Sequence, residues 1–265
     1  MDASYPPPVD QFLTLGRPSE TSREWPDYLA LGLGEEHVPE LIRMLRDEEL
    51  MWAASESPEV WAPLHAWRAL GQLRAEAAIE PLLDFLDGLE DEDWAFDELP
   101  TVFGMIGPAA LPALVRYLAD PEHGLWNRVA AIRGLEEIAK AHEEAREEVV
   151  AALTKQLEKW YRHDEVLNAS LIDVLVELRA VEAAPLMEQA FEADRVDIML
   201  RGDWEDVQVD LGLIPERTTT RPRWHLPRRL APTAATPARG HNRTDRRKNR
   251  KKLERQSRKR NRRRR

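Results

Sequence analysis

Residues 61–86 read WAPLHAWRALGQLRAEAAIEPLLDFL, and this stretch decides the fold. Leu64, Trp67 and Leu70, with Ala66, fall on one face of a first helix at i, i+3 and i+6. Ile79, Leu82, Leu83 and Leu86 recur at i, i+3, i+4 and i+7, the apolar stripe of a second helix. Two short helices cannot hide both stripes from water on their own, so the pair demands neighbours on either side.

The neighbours are legible. Laying second helices over one another aligns Val38, Ile79, Leu111, Val150 and Ala183, and also Leu45, Leu86, Leu118, Leu157 and Ala190, at offsets of 41, 32, 39 and 33 residues. Among first helices, Trp61, Ala66, Trp67, Arg68 and Leu70 fall over Trp126, Ala131, Ile132, Arg133 and Leu135. Irregular spacing with two helices per unit predicts an all-α protein, an α-solenoid of about five helical hairpins. The expected divisions are an irregular arm over 1–20, the solenoid over 21–193, a capping segment over 194–215 and a disordered basic tail over 216–265.

Local signals refine this order. Phe12, Leu13 and Leu15 are expected to tether the arm, and Thr21 or Ser22, with Glu24, to cap a helix running to Leu31 and stopping at Gly32. Leu41, Ile42, Leu45 and Trp52 make the next stripe. Pro100 argues for a helix that begins near Asp97, because an interior proline costs about 3 kcal/mol. Asp203 is placed to cap a short helix that turns Trp204, Val207 and Leu211 inward and ends at Gly212.

Composition sets exclusions. The 265 residues are 32% charged and contain no cysteine, which removes disulfides, thiolate metal sites and a cysteine nucleophile and fits a reducing cytoplasm. The opening MDASYPPPVDQFL has neither a basic nor an apolar leader region, and no apolar run approaches the ~20 residues of a membrane span, so a soluble cytoplasmic protein is expected. The net charge of −10 hides a division: residues 216–265 carry 21 Lys and Arg against Glu216, Asp245 and Glu254, leaving the rest of the chain strongly acidic.

The phrases HAWRALGQLRAEAAIEPLL (65–83) and NRVAAIRGLEEIA (127–139) resemble HEAT repeats, most closely the HEAT-like repeats of phycobilisome bilin lyases. The resemblance spans about residues 21–193 and implies the armadillo-like helical fold; a bilin-lyase-like enzyme or enzyme subunit is the activity it would imply. The arrangement is also similar to bacterial HEAT-repeat proteins, some ending in a cysteine-histidine zinc motif. This chain lacks the cysteines, so no zinc role carries over.

Two stretches offer binding chemistry. The tail residues Arg246, Arg247, Lys248, Arg250, Lys251, Lys252, Arg255, Arg258, Lys259, Arg260, Arg262, Arg263, Arg264 and Arg265 suit salt-sensitive, sequence-independent contact with RNA, DNA or ribosomes. The alternative is a tail that acts only on the acidic body of its own chain. In the acidic run from Asp84 to Glu98, the residues Asp84, Asp87, Asp91, Asp93 and Trp94 are the candidates for docking a basic protein partner, although a solvated loop accounts for most such runs. An EF-hand fails there, because Phe96 stands at the sixth position where glycine is needed.

Catalytic, cofactor and metal residues are not expected. His37, His65, His123, His142 and His163 are scattered without an i, i+4 pair, and His65 reads as a half-buried packing residue. No nucleophile elbow, phosphate loop or dinucleotide fingerprint occurs. Trp61 and Trp126 read as packing staples, with a row exposed along one edge for a partner as the alternative. The expected function is a non-enzymatic interaction scaffold.

Overall fold

A computed structural model describes residues 4–18, 25–51, 53–54, 56–88 and 93–220, and every regular element among them is helical. In order these are α1 (Phe12–Leu15), α2 (Val38–Leu45), α3 (Glu48–Met51), α4 (Ala62–Gln72), α5 (Ile79–Asp87), α6 (Asp93–Ile106) and α7 (Leu111–Ala119). Then follow α8 (Leu125–Ala141), α9 (Arg146–Leu157), α10 (Glu165–Glu177), α11 (Ala184–Glu192), α12 (Ile198–Arg201) and α13 (Trp204–Leu211). They all lie within one compact unit.

Residues 61–86 form the expected pair, α4 and α5. Leu64, Trp67, Leu70, Ile79, Leu82, Leu83 and Leu86 are all buried, so both stripes face the core. Contacts then run in two series. The first helices α4, α6, α8 and α10 each pack on the next, and so do the second helices α2, α5, α7, α9 and α11.

Each second helix is entered through a 3-10 turn: Glu35–His37, Glu76–Ala78, Pro108–Ala110, Glu143–Ala145 and Val181–Ala183. The last four turns end on a buried alanine, where close packing favours a small side chain. This turn fixes the register. The helices begin at Val38, Ile79, Leu111, Arg146 and Ala184, so three of the residues aligned in sequence open their helices, while Val150 lies one turn inside α9 and Ala183 ends the turn before α11.

Three local expectations need correction. Residues 25–28 are irregular and only the 3-10 turn Leu29–Leu31 precedes Gly32, which takes the left-handed conformation at φ +87°. Pro26 disfavours a helical Trp25 and blocks the expected helix; its proposed caps Thr21, Ser22 and Glu24 lie outside the described residues, as does Trp52. The arm is not wholly irregular, since α1 and the turn Val9–Gln11 place Val9 and Phe12 fully in the core, while Leu15 is exposed. Finally, α6 begins at Asp93 and carries Pro100 inside it. Burial of Ala95, Leu99, Val102, Phe103 and Ile106 outweighs the backbone hydrogen bond that Pro100 cannot donate.

α6 and α8 approach closely. A Cβ at Gly104 would stand 2.7 Å from the Glu137 Cβ and 3.2 Å from its backbone carbon. Gly134 of α8 in turn lies against Phe103 and Leu114. The α13 helix matches expectation: Asp203 accepts from the Asp206 N–H, Gly212 ends the helix at φ +76°, and Val207 and Leu211 are buried with Trp204 packed beside them. Among the described residues no single helix is long and apolar enough to cross a membrane; Ala95–Ile106 and Pro108–Ala119 pass together by composition but meet at 113°.

Candidate interaction surface

Three polar groupings come out of this packing. Two lie within it and hold the helices together, and one reaches the surface.

The first joins α4 to α6. Glu98 accepts from Trp67 Nε1 at 2.9 Å, Arg68 Nε at 2.7 Å and Arg68 Nη2 at 2.5 Å, and both charged side chains are largely buried. The Arg68 guanidinium also lies 5.1 Å from the Trp25 ring centre. Beside it, His65 is buried, with Nδ1 2.7 Å from the Tyr28 hydroxyl and Nε2 2.8 Å from the Gly16 carbonyl. A carbonyl can only accept, so Nε2 carries the proton and Nδ1 accepts from Tyr28. Burial lowers the imidazole pKa, and nearby Arg68 acts in the same direction. Burial also pushes the Tyr28 phenol up to about 12.

The second grouping repeats the first two hairpins later, between α8 and α10. Arg133 donates to Glu136 at 2.8 Å within α8 and to Asp173 of α10 at 2.7 Å. Burial alone would raise the Glu136 pKa, but bonds from Lys140 and Arg133 turn the shift downward. Arg68 and Arg133 therefore share a task as well as a register: each ties its helix to the next first helix.

The third grouping closes the corner between α5, α7 and α8. Asp87, at the end of α5, accepts from the Tyr117 hydroxyl, from His123 Nδ1 at 3.0 Å and from Asn127 Nδ2 at 3.2 Å. The Tyr117 and His123 rings stack 3.7 Å apart at 13°. Burial raises the Tyr117 pKa and the Asp87 bond raises it further, so the phenol stays protonated and donates. Asn127 also donates to the Leu86 carbonyl at 3.2 Å, which fixes the first turn of α8 against the end of α5. On the outer side, Asp84 pairs with Arg46 of α2 at 2.9 Å and Glu80 with Arg116 of α7. These exposed pairs contribute only about 0–1 kcal/mol each, and they partly neutralise the acids of α5.

Of the expected partner-binding residues, Asp84 and Asp87 thus stand together at this corner, each with partners inside the chain. Asp91 lies outside the described residues. Asp93 and Trp94 open α6, with their side chains outside the described set. The basic residues of 246–265 also lie outside it. Glu98 belongs to the same acidic run, yet it is a buried partner of Arg68 and Trp67 rather than a solvated side chain. Trp126, read as a packing staple, is 58% exposed.

Sequence reasoning passed over Tyr117, His123 and Asn127. Their partner stands 30 to 40 residues away and no short motif connects them. Elsewhere, α9 and Glu182 border an open groove of about 590 Å³ lined by Arg146, Glu147, Thr154, Lys155 and Glu158 among others, a mixed-charge surface. Among the described residues no three His, Asp or Glu side chains are grouped to hold a metal ion.

Fold and surface define an all-helical protein whose polar residues tie successive helices together. The chain belongs to the family described as "Protein of unknown function (DUF1186)", whose model matches residues 30–221. No curated protein and no solved structure matches it.

Proposed function

We propose that this protein is a binding scaffold, a HEAT-like α-solenoid whose acidic body docks a basic protein partner and whose basic C-terminal stretch contacts nucleic acid or ribosomes. The observation that carries the scaffold reading is the double series of helix contacts. The second helices, four of them entered through an alanine-ended turn, pack one on the next, and Arg68 and Arg133 repeat one tie between first helices. Such stacking presents a long continuous surface with no enclosed pocket required.

The charge division supports the two partners. Residues 243–265 hold 15 Lys and Arg against Asp245 and Glu254, enough to displace several phosphate counterions. Arginine predominates there and favours bidentate phosphate contact. The acidic remainder favours a partner of opposite sign.

Fluorescence anisotropy of labelled RNA and DNA tests the nucleic-acid half. The intact protein should bind both, with affinity falling steeply as salt rises, and a version ending at Gly240 should bind at least tenfold more weakly. Equal binding by both versions, or affinity indifferent to salt, would refute a tail that contacts phosphate.

A further inference from the structure

Trp61, just before α4, and Trp126, in the first turn of α8, hold equivalent places in the sequence register of two first helices. Ala66 and Ala131 behind them are fully buried, as are Leu70 and Leu135, and Arg68 and Arg133 make matching ties to the next first helix. The two indoles nevertheless differ in their surroundings. Trp61 packs against the core, and the guanidinium of Arg17, from the N-terminal arm, lies over its ring at 5.5 Å. Trp126 is 58% exposed, an unusual condition for the largest apolar side chain.

Hydrogen bonds from the next two residues anchor the turn that carries Trp126. Asn127 holds the first turn of α8 to Leu86 and Asp87, and the adjacent Arg128 is committed to the Leu118 carbonyl at 2.9 Å. The approach is acidic. Asp120 and Glu122 are exposed in the turn that leads into α8, and Asp84 and Asp87 close the corner behind it. An exposed indole in the first turn of α8, preceded along the chain by the exposed carboxylates of Asp120 and Glu122, matches a planar cation: the ring face attracts the guanidinium and the carboxylates attract its neighbours.

We propose that Trp126 is the arginine-docking position of the acidic corner, receiving over its ring an arginine side chain from a basic protein segment as Trp61 receives Arg17. Asp120 and Glu122 pair with the flanking basic residues of that segment. This rests on the reading of a basic protein partner and adds to it a place and a preference for arginine over lysine.

The probe is a fluorescein-labelled eight-residue peptide carrying arginine at alternate positions, compared with the same peptide carrying lysine, both titrated with the intact protein at physiological salt. The arginine peptide should bind several-fold more tightly than the lysine peptide. Trp126→Ala should weaken the arginine peptide about tenfold and abolish the preference, whereas Trp126→Phe should keep most of both. Equal binding of the two peptides by the unaltered protein, or unchanged affinity in Trp126→Ala, overturns the docking position. In either case, salt-sensitive binding that persists leaves the basic-partner reading standing. Failure of the unaltered protein to bind either peptide overturns both.

Discussion

At the scale of single residues, the polar side chains that a sequence reader singles out as chemistry mostly serve cohesion. Glu98 shows this best. Its carboxylate answers three donors from α4 in a largely buried setting. Removing one member of a buried pair strands the other charge at a cost of about 3–5 kcal/mol, far more than any exposed pair contributes. Glu98→Ala should therefore lower stability to urea by about 3 kcal/mol, and Asp84→Ala, which releases only the exposed Arg46, by less than about 1 kcal/mol. Comparable losses in the two variants would show that the α4–α6 tie is not a buried ion pair in solution. The sequence displayed Glu98 as one more acid in an acidic run; only the neighbouring helix reveals its partner.

At the scale of elements, the α6–α8 contact turns on two glycines. In a free helix, glycine to alanine stabilises by up to about 1 kcal/mol. At Gly104 the added methyl would meet the Glu137 Cβ at 2.7 Å and its backbone carbon at 3.2 Å, and a backbone cannot step aside as a side-chain tip can. Overpacking of about 1–3 kcal/mol then exceeds the propensity gain, so Gly104→Ala should shift the urea midpoint downward. An upward shift would mean that α6 and α8 stand further apart than the structure places them. Apolar periodicity set the helices themselves, and those starts that failed did so for stated reasons. Pro26 blocks a helix through Trp25, and tertiary burial carries Pro100 inside α6.

At the scale of the whole molecule, two buried histidines link stability to pH. Burial lowers the pKa of His65 near the N-terminal arm and of His163 near the start of α10, with Arg68 and Arg128 respectively adding to the effect. Both are neutral in the folded chain and take up protons more readily once unfolded. Their contribution to stability is complete above the ordinary value of 6.5, and it is lost as pH falls from there through the lowered folded values. Urea midpoints should accordingly drop between pH 7.5 and 5, and a His65→Gln, His163→Gln double variant should show a flatter profile over that range. An identical profile in the double variant would place the acid sensitivity elsewhere. Protonation of His65 falls on Nδ1 and removes the bond it accepts from Tyr28, while Nε2 goes on donating to the Gly16 carbonyl.

The sequence by itself determined the helical class, the paired stripes of 61–86, the cap at Asp203 and the division of charge between body and C-terminal stretch. Each is a local property, set by apolar spacing, capping chemistry or composition. The tertiary structure alone decided which polar residues meet. Tyr117, His123 and Asn127 converge on Asp87 from 30 to 40 residues away, and Arg17 covers Trp61 while the equivalent Trp126 stands 58% exposed. Such pairings depend on how one hairpin stacks on the next, and an irregular repeat does not encode that stacking at any fixed spacing along the chain.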